Sequence, residues 1–95
     1  MTVAAAHSVL DRTLALHPQV ALRPEPFGAL AYHYGTRRLV FLKHPDLVRV
    51  VRSLDRHDTV ADALIACDIA PARRPAFATA IAGLLDSEML DDRAR

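Results

Sequence analysis

Arg37-Arg38-Leu39-Val40-Phe41-Leu42-Lys43-His44-Pro45-Asp46-Leu47-Val48-Arg49-Val50-Val51-Arg52-Ser53-Leu54 is the stretch in which the hydrophobic period changes. Up to Lys43 the period is two. Leu39 and Phe41 face one side and Val40 and Leu42 the other, and the β-branched and aromatic content favours a strand. Four apolar residues in a row predict that both faces are at least partly covered. From His44 onward the period is about 3.6. His44-Pro45-Asp46 opens a helix, with proline in its first turn and an acid near the positive end of its dipole. Leu47, Val48, Val50, Val51 and Leu54 form its buried stripe, and Arg49, Arg52 and Arg56 its wet face.

Upstream, Ala29-Leu30-Ala31-Tyr32-His33-Tyr34 alternates in the same way, with Leu30, Tyr32 and Tyr34 on one face. Gly35-Thr36 is the expected hairpin turn, since glycine accepts positive φ without strain. Val20-Ala21-Leu22-Arg23 is a further strand. Pro24 and Pro26 make it an edge or a strand end, because proline donates nothing to a ladder. Residues 1–16 carry only a weak helical signal at Val9, Leu10 and Leu14 and read as a mobile tail.

Downstream, Asp55-Arg56-His57-Asp58 is a charged linker. Asp58 or Thr59 caps a second helix, with Asp62 placed for a reciprocal cap and Val60, Ala63, Leu64 and Cys67 facing inward. Pro71 lies in a loop. A third helix starts near Arg73–Pro75 and runs to about Leu85, with Phe77, Ile81, Leu84 and Leu85 as its stripe. Met89 and Leu90 pack back as a last apolar turn. Three strands followed by three helices predict an α+β domain, one antiparallel sheet covered by helices in βββααα order, similar to a winged helix with its wing first. The domain is expected over 17–90, with tails at 1–16 and 91–95.

The 95 residues suffice for one domain with a modest core. One cysteine, Cys67, excludes an internal disulfide and any paired-cysteine metal motif. With no basic region and long apolar core at the start, and no membrane-length apolar run, the expected location is the cytoplasm, with no membrane partner. The net charge of +1 gives no global reason to expect nucleic acid. Residues 1–57 nevertheless carry eight Lys/Arg against four Asp/Glu, and residues 58–95 four against seven. The basic half either attracts an acidic partner or is an ordinary solvated face.

No catalytic constellation emerges. His7, His17, His33, His44 and His57 are never three or four residues apart, whereas a zinc site needs three or four converging ligands. Ser8, Ser53 and Ser87 lie in no glycine-rich elbow, and Cys67 sits where a small buried hydrophobe belongs. Three glycines cannot build a phosphate-cradling loop. The acids at Asp86, Glu88, Asp91 and Asp92 read as solvated charge. No enzyme activity and no cofactor are expected.

What stands out is Leu39–Leu42, short, apolar and flanked by Arg37, Arg38 and Lys43. As a sheet edge it could accept an added strand from a peptide, main-chain bonds giving affinity and side-chain pockets specificity. It could equally be a core strand whose charged ends act as gatekeepers. A small winged-helix DNA-binding protein is the alternative function, with Arg49, Arg52 and Arg56 on phosphates. The near-neutral charge and the apolar third helix argue against it.

The run His17-Pro18-Gln19-Val20-Ala21-Leu22-Arg23-Pro24-Glu25-Pro26-Phe27-Gly28-Ala29-Leu30, then Tyr32-His33-Tyr34-Gly35 and Arg38-Leu39-Val40-Phe41-Leu42, resembles the mycofactocin biosynthesis peptide chaperones. These are precursor-peptide recognition elements related to the pyrroloquinoline quinone pathway chaperone. The resemblance covers about residues 15–90. It implies that the leader of a ribosomally made precursor adds as a strand beside Arg38–Leu42. It also implies delivery of that precursor to a radical S-adenosylmethionine enzyme, which holds the iron–sulfur clusters and carries out the chemistry. On this sequence the implied contacts are Arg37, Arg38, Leu39, Val40, Phe41 and Leu42. The helix wall, inferred from its face, is Arg73, Arg74, Phe77, Ala80, Ile81 and Leu84.

Overall fold

The structure, a computed structural model, describes residues 9–93. Among the elements of the described residues are strands β1 (Leu14–Leu16), β2 (Val20–Glu25), β3 (Gly28–His33) and β4 (Leu39–Leu42). Helices α1 (Pro45–Ser53), α2 (Val60–Ala66) and α3 (Arg74–Asp86) follow, and β5 (Leu90–Asp92) ends the chain of elements. Single 3₁₀ turns at Leu54–Arg56 and Pro71–Arg73 join the helices. β2, β3 and β4 form one antiparallel sheet in that order, while β1 and β5 pair antiparallel as a separate two-stranded ladder.

The α+β class, the three-stranded sheet and the three helices agree with the sequence reading. The plain βββααα order does not hold, because β1 and β5 bracket it. Their ladder pairs Leu14 with Asp92 and Leu16 with Leu90, so the expected tails at 1–16 and 91–95 each contribute residues to the fold. Leu14 and Val9 are buried in the core. Asp92, expected as solvated charge, accepts from Arg12 Nε at 3.0 Å. Arg93 Nε donates to the Leu14 carbonyl at 3.1 Å. Residues 1–8 and 94–95 of the expected tails lie outside the described residues.

The helix starts follow their expected chemistry. His44 caps α1, its Nδ1 accepting from the Asp46 N–H at 3.1 Å, with Pro45 at the first helical position. Thr59 caps α2 by accepting from the Asp62 N–H at 3.1 Å. Ala29, Ala31 and His33 of β3 turn inward and alternate with Leu30 and Tyr32, which turn outward. Leu42 joins the buried set, against a core that includes Val50, Val51, Leu54, Leu64, Ile69 and Ile81.

The special backbone conformations fall away from where glycine placed them. Gly35 is not at positive φ. The left-handed residue of the β3–β4 turn is Arg37, at φ 65°. That turn is held instead by His33, 3% exposed, whose Nδ1 accepts from the Gly35 and Thr36 N–H groups at 3.0 and 3.1 Å. Glycine is required at Gly28, where φ is 152° and an added Cβ would come within 2.1 Å of the Leu42 carbonyl oxygen. This close approach sets β4 against the start of β3.

Candidate functional site

β4 is an edge. With the order β2-β3-β4, no strand among the described residues pairs with its outer flank. The His33 N–H donates to the Arg38 carbonyl at 3.0 Å, which fixes the alternation of the ladder. Val40 and Leu42, opposite Ala31 and Ala29, direct their backbone groups at β3. Leu39 and Phe41 direct theirs outward. The other edge, β2, is blunted. The Tyr34 N–H donates to the Gln19 carbonyl, so the alternation turns residue 24 outward, and Pro24 has no N–H to offer there. Arg23 Nε and Glu25 Oε2 add a charge pair at 2.8 Å on the same strand. Among the described residues of this three-stranded sheet, β4 is the edge that no proline interrupts.

Past the end of β4, where His44 opens α1, lies a hollow of about 160 Å³ lined by His44, Leu47, Ala76, Phe77 and Ala80. Ala76 and Ala80 are one turn apart on α3, and their small side chains leave the space open between α1 and α3. His44 and Phe77 face each other edge-on with ring centres 6.4 Å apart. The Arg73 guanidinium stands 5.1 Å over the Phe77 ring. It also donates to Asp46 at 3.0 Å and lies 3.3 Å from His44 Nε2.

Asp46 organises this corner. It accepts from Arg49 Nη2 at 2.9 Å as well as from Arg73. These two guanidiniums, Arg49 foremost, hold its carboxyl below the ordinary carboxylate range, and Asp46 in turn raises the Arg49 guanidinium. Arg49 also donates to the Cys67 carbonyl, so this member of the would-be phosphate-binding face is already committed within the fold.

The sequence-derived site residues therefore separate. Leu39 and Phe41 are 53% and 55% exposed, and Val40 and Leu42 pack inward. Arg37 and Arg38 are exposed, with no side-chain partner among the described residues. Arg73, Phe77 and Ala80 line the hollow or its mouth. Arg74 instead donates from Nε to the Ile69 carbonyl at 2.9 Å and holds the loop before α3. Ile81 is 0% exposed and Leu84 is buried, so both belong to the core and present no wall. His44, Leu47 and Ala76 were not among the expected contacts. The sequence signal for them is the i, i+3 relation of His44 to Leu47 and the i, i+4 relation of Ala76 to Ala80.

A larger hollow of about 390 Å³ lies at the β1–β5 ladder and includes Arg12, Glu88 and Asp92, of which Arg12 and Asp92 are bound to each other. Among the described residues no three His, Cys, Asp or Glu side chains are grouped to hold a metal, and no helix is long and apolar enough to cross a membrane.

Comparison with known proteins shows the family of this chain. The family model described as the peptide chaperone MftB family matches residues 13–91. Peptide chaperone MftB of Mycolicibacterium smegmatis is 48% identical over 80 residues, covering 84% of this chain and 78% of the relative. The protein of the same name from Mycobacterium ulcerans is 48% identical, covering 84% and 73%. That of Mycobacterium tuberculosis is 42% identical over 83 residues, covering 87% and 76%. No solved structure matches.

Proposed function

Because this chain belongs to the MftB peptide chaperone family, we propose that it binds the leader of the mycofactocin precursor as a fourth strand on β4. It then delivers the precursor, in the cytoplasm, to a radical S-adenosylmethionine enzyme. The observation that carries this reading is the asymmetry of the sheet, in which β2 is blunted by Pro24 and β4 is not. A backbone laid beside Leu39–Leu42 meets the outward N–H and C=O groups of Leu39 and Phe41. Its alternate side chains point toward the hollow between α1 and α3, where His44, Leu47, Ala76, Phe77 and Ala80 receive an apolar group. Arg37, Arg38 and Lys43 stand at the two ends of the strand and favour an acidic leader.

Membership of a peptide chaperone family supports the role of a non-catalytic carrier. A short added strand with one or two anchored side chains gives on the order of micromolar affinity, about −8 kcal/mol. Titration calorimetry with synthetic halves of the precursor tests the reading. The leader half is expected to bind and the C-terminal core half is not. Equal binding of both halves, or of neither, would refute leader recognition.

A further inference from the structure

The sheet has a second uncovered surface, distinct from the β4 edge. Its inner face, Ala29, Ala31 and His33, is buried against the core, and α1 packs beneath β3. The outer face carries Leu30 and Tyr32 from β3 and Leu39 and Phe41 from β4, with Leu30 paired to Phe41 and Tyr32 to Leu39. Phe27 from the preceding turn stands edge-on to Phe41 with ring centres 5.8 Å apart, and Tyr34 meets Tyr32 in the same way at 5.1 Å. Five large hydrophobic residues are exposed among the described residues, and four of them, Phe27, Tyr34, Leu39 and Phe41, belong to this face. The fifth, Ile65, is on α2. Clustered exposed aromatics of this kind mark protein interfaces, whereas scattered ones do not.

We propose that this outer face docks the modifying enzyme, through an apolar patch on that enzyme ringed by carboxylates. The proposal rests on the leader-carrier reading. The charges around the face select the occupant. Arg37 and Lys43 flank β4 at its two ends without side-chain partners among the described residues, while the Arg23–Glu25 pair on β2 satisfies itself. A second copy of this chain seated two-fold on the same face would bring those cations to a surface offering no unpaired acid, so self-association is disfavoured. A carboxylate-rimmed partner fits. The face is also continuous with the edge. A strand added to β4 turns every second side chain onto the outer face, so a protein seated there touches both the carrier and its cargo. Recognition of the loaded carrier then needs no conformational signal.

The test titrates purified mycofactocin-pathway radical S-adenosylmethionine enzyme into wild-type protein and into Leu30→Ser/Tyr32→Ser, both with circular dichroism as the folding control. The synthetic leader is titrated in parallel. The double variant is expected to bind the leader within about twofold of wild type and to lose at least tenfold in enzyme affinity. A groove variant, Ala80→Leu, is expected to do the reverse in the absence of leader. If a folded double variant binds the enzyme like wild type, if it loses the leader as well, or if wild type does not bind the enzyme, the assignment is wrong. A dimer that dissociates in the double variant, with enzyme binding unchanged, would assign the face to a second copy and overturn it too. If wild type ignores the leader while enzyme binding follows the outer face, the docking surface stands and the strand-addition reading falls.

Discussion

Arg73 Nη1 donates to Asp46 Oδ2 at 3.0 Å, and this bond ties the mouth of α3 to the first turn of α1. The same guanidinium lies over Phe77, so the ion pair and the wall of the hollow form one unit. The two helices are otherwise held near the hollow by few side chains, because Ala76 and Ala80 fill little space.

Asp46→Asn should therefore lower stability at neutral pH and loosen the groove. The Asp46 carboxyl is held below its ordinary value of 3.8 by Arg49 and then Arg73. A carboxylate with a lowered folded-state pKa stabilises the fold above the unfolded value and loses that contribution as pH falls through the folded one. Urea midpoints of wild type and variant should thus differ at neutral pH and converge in acid below 3.8. A gap that stays constant with pH would remove the charge pairing as its cause.

Proline substitutions along β4 should have opposite consequences at adjacent positions. Val40 gives its N–H to the ladder with β3, so Val40→Pro breaks an internal bond and should cost about 3 kcal/mol or more of stability. Phe41 points its N–H at the open flank, so Phe41→Pro should fold and lose leader binding. Chemical denaturation separates the first effect from the second, and calorimetry reads the second. A folded Phe41→Pro protein that binds the leader normally would rule out strand addition at this edge.

Gly28→Ala tests how tightly β4 is placed. The new methyl would lie 2.1 Å from the Leu42 carbonyl oxygen, and the residue would sit at φ 152°. Backbone cannot yield as a side-chain tip does, so a loss on the order of 2 kcal/mol or more is expected in denaturant unfolding. Gly83→Ala, with nothing within 4 Å of its added Cβ on α3, should instead be neutral or slightly stabilising. Equal effects at the two glycines would contradict the contact geometry.

Ala80→Leu should fill the hollow without disturbing the core, since Ala80 is only half-buried. Leader affinity is expected to fall about tenfold, near 1.4 kcal/mol, with little change in the unfolding midpoint. Phe77→Ala is less informative, because Phe77 is also core and its loss should cost about 3–5 kcal/mol of stability. Unaltered leader binding by Ala80→Leu would move the anchored side chain elsewhere.

The change of period at His44 was legible because strand and helix there obey local rules: alternation before, a stripe after, and a capping residue between. The edge character of β4 was legible too, as one of two readings, from its length and its charged ends. The β1–β5 ladder was not. Leu14–Leu16 and Leu90–Asp92 are three residues each and their paired residues lie 74 or more positions apart, so no local pattern announces their pairing. Arg74 and Ile81 show the other failure. Helical periodicity put both beside Phe77, yet a hydrogen bond to the Ile69 carbonyl turns Arg74 into a loop anchor, and Ile81 lies deeper in the stripe, fully covered.

That sorting of the arginines yields the last prediction. Four of them, Arg37, Arg38, Arg73 and Arg74, were equal candidates for attracting an acidic leader. In the structure Arg73 shares the Asp46 carboxylate with Arg49 and Arg74 is held in place by the Ile69 carbonyl, whereas Arg37, Arg38 and Lys43 project at the ends of β4 without side-chain partners among the described residues. Exposed charges act through solvent over about 8–10 Å and are screened by salt. Arg38→Glu should therefore weaken leader binding severalfold at low ionic strength, mainly by slowing association, and the difference from wild type should shrink as salt rises. Arg74→Gln should leave the salt dependence unchanged and lower stability by about 1 kcal/mol. Association rates measured across a salt series decide the matter: a salt-insensitive wild type, or an Arg74→Gln slope flatter than that of Arg38→Glu, would place the attraction on the helix side rather than at the strand ends.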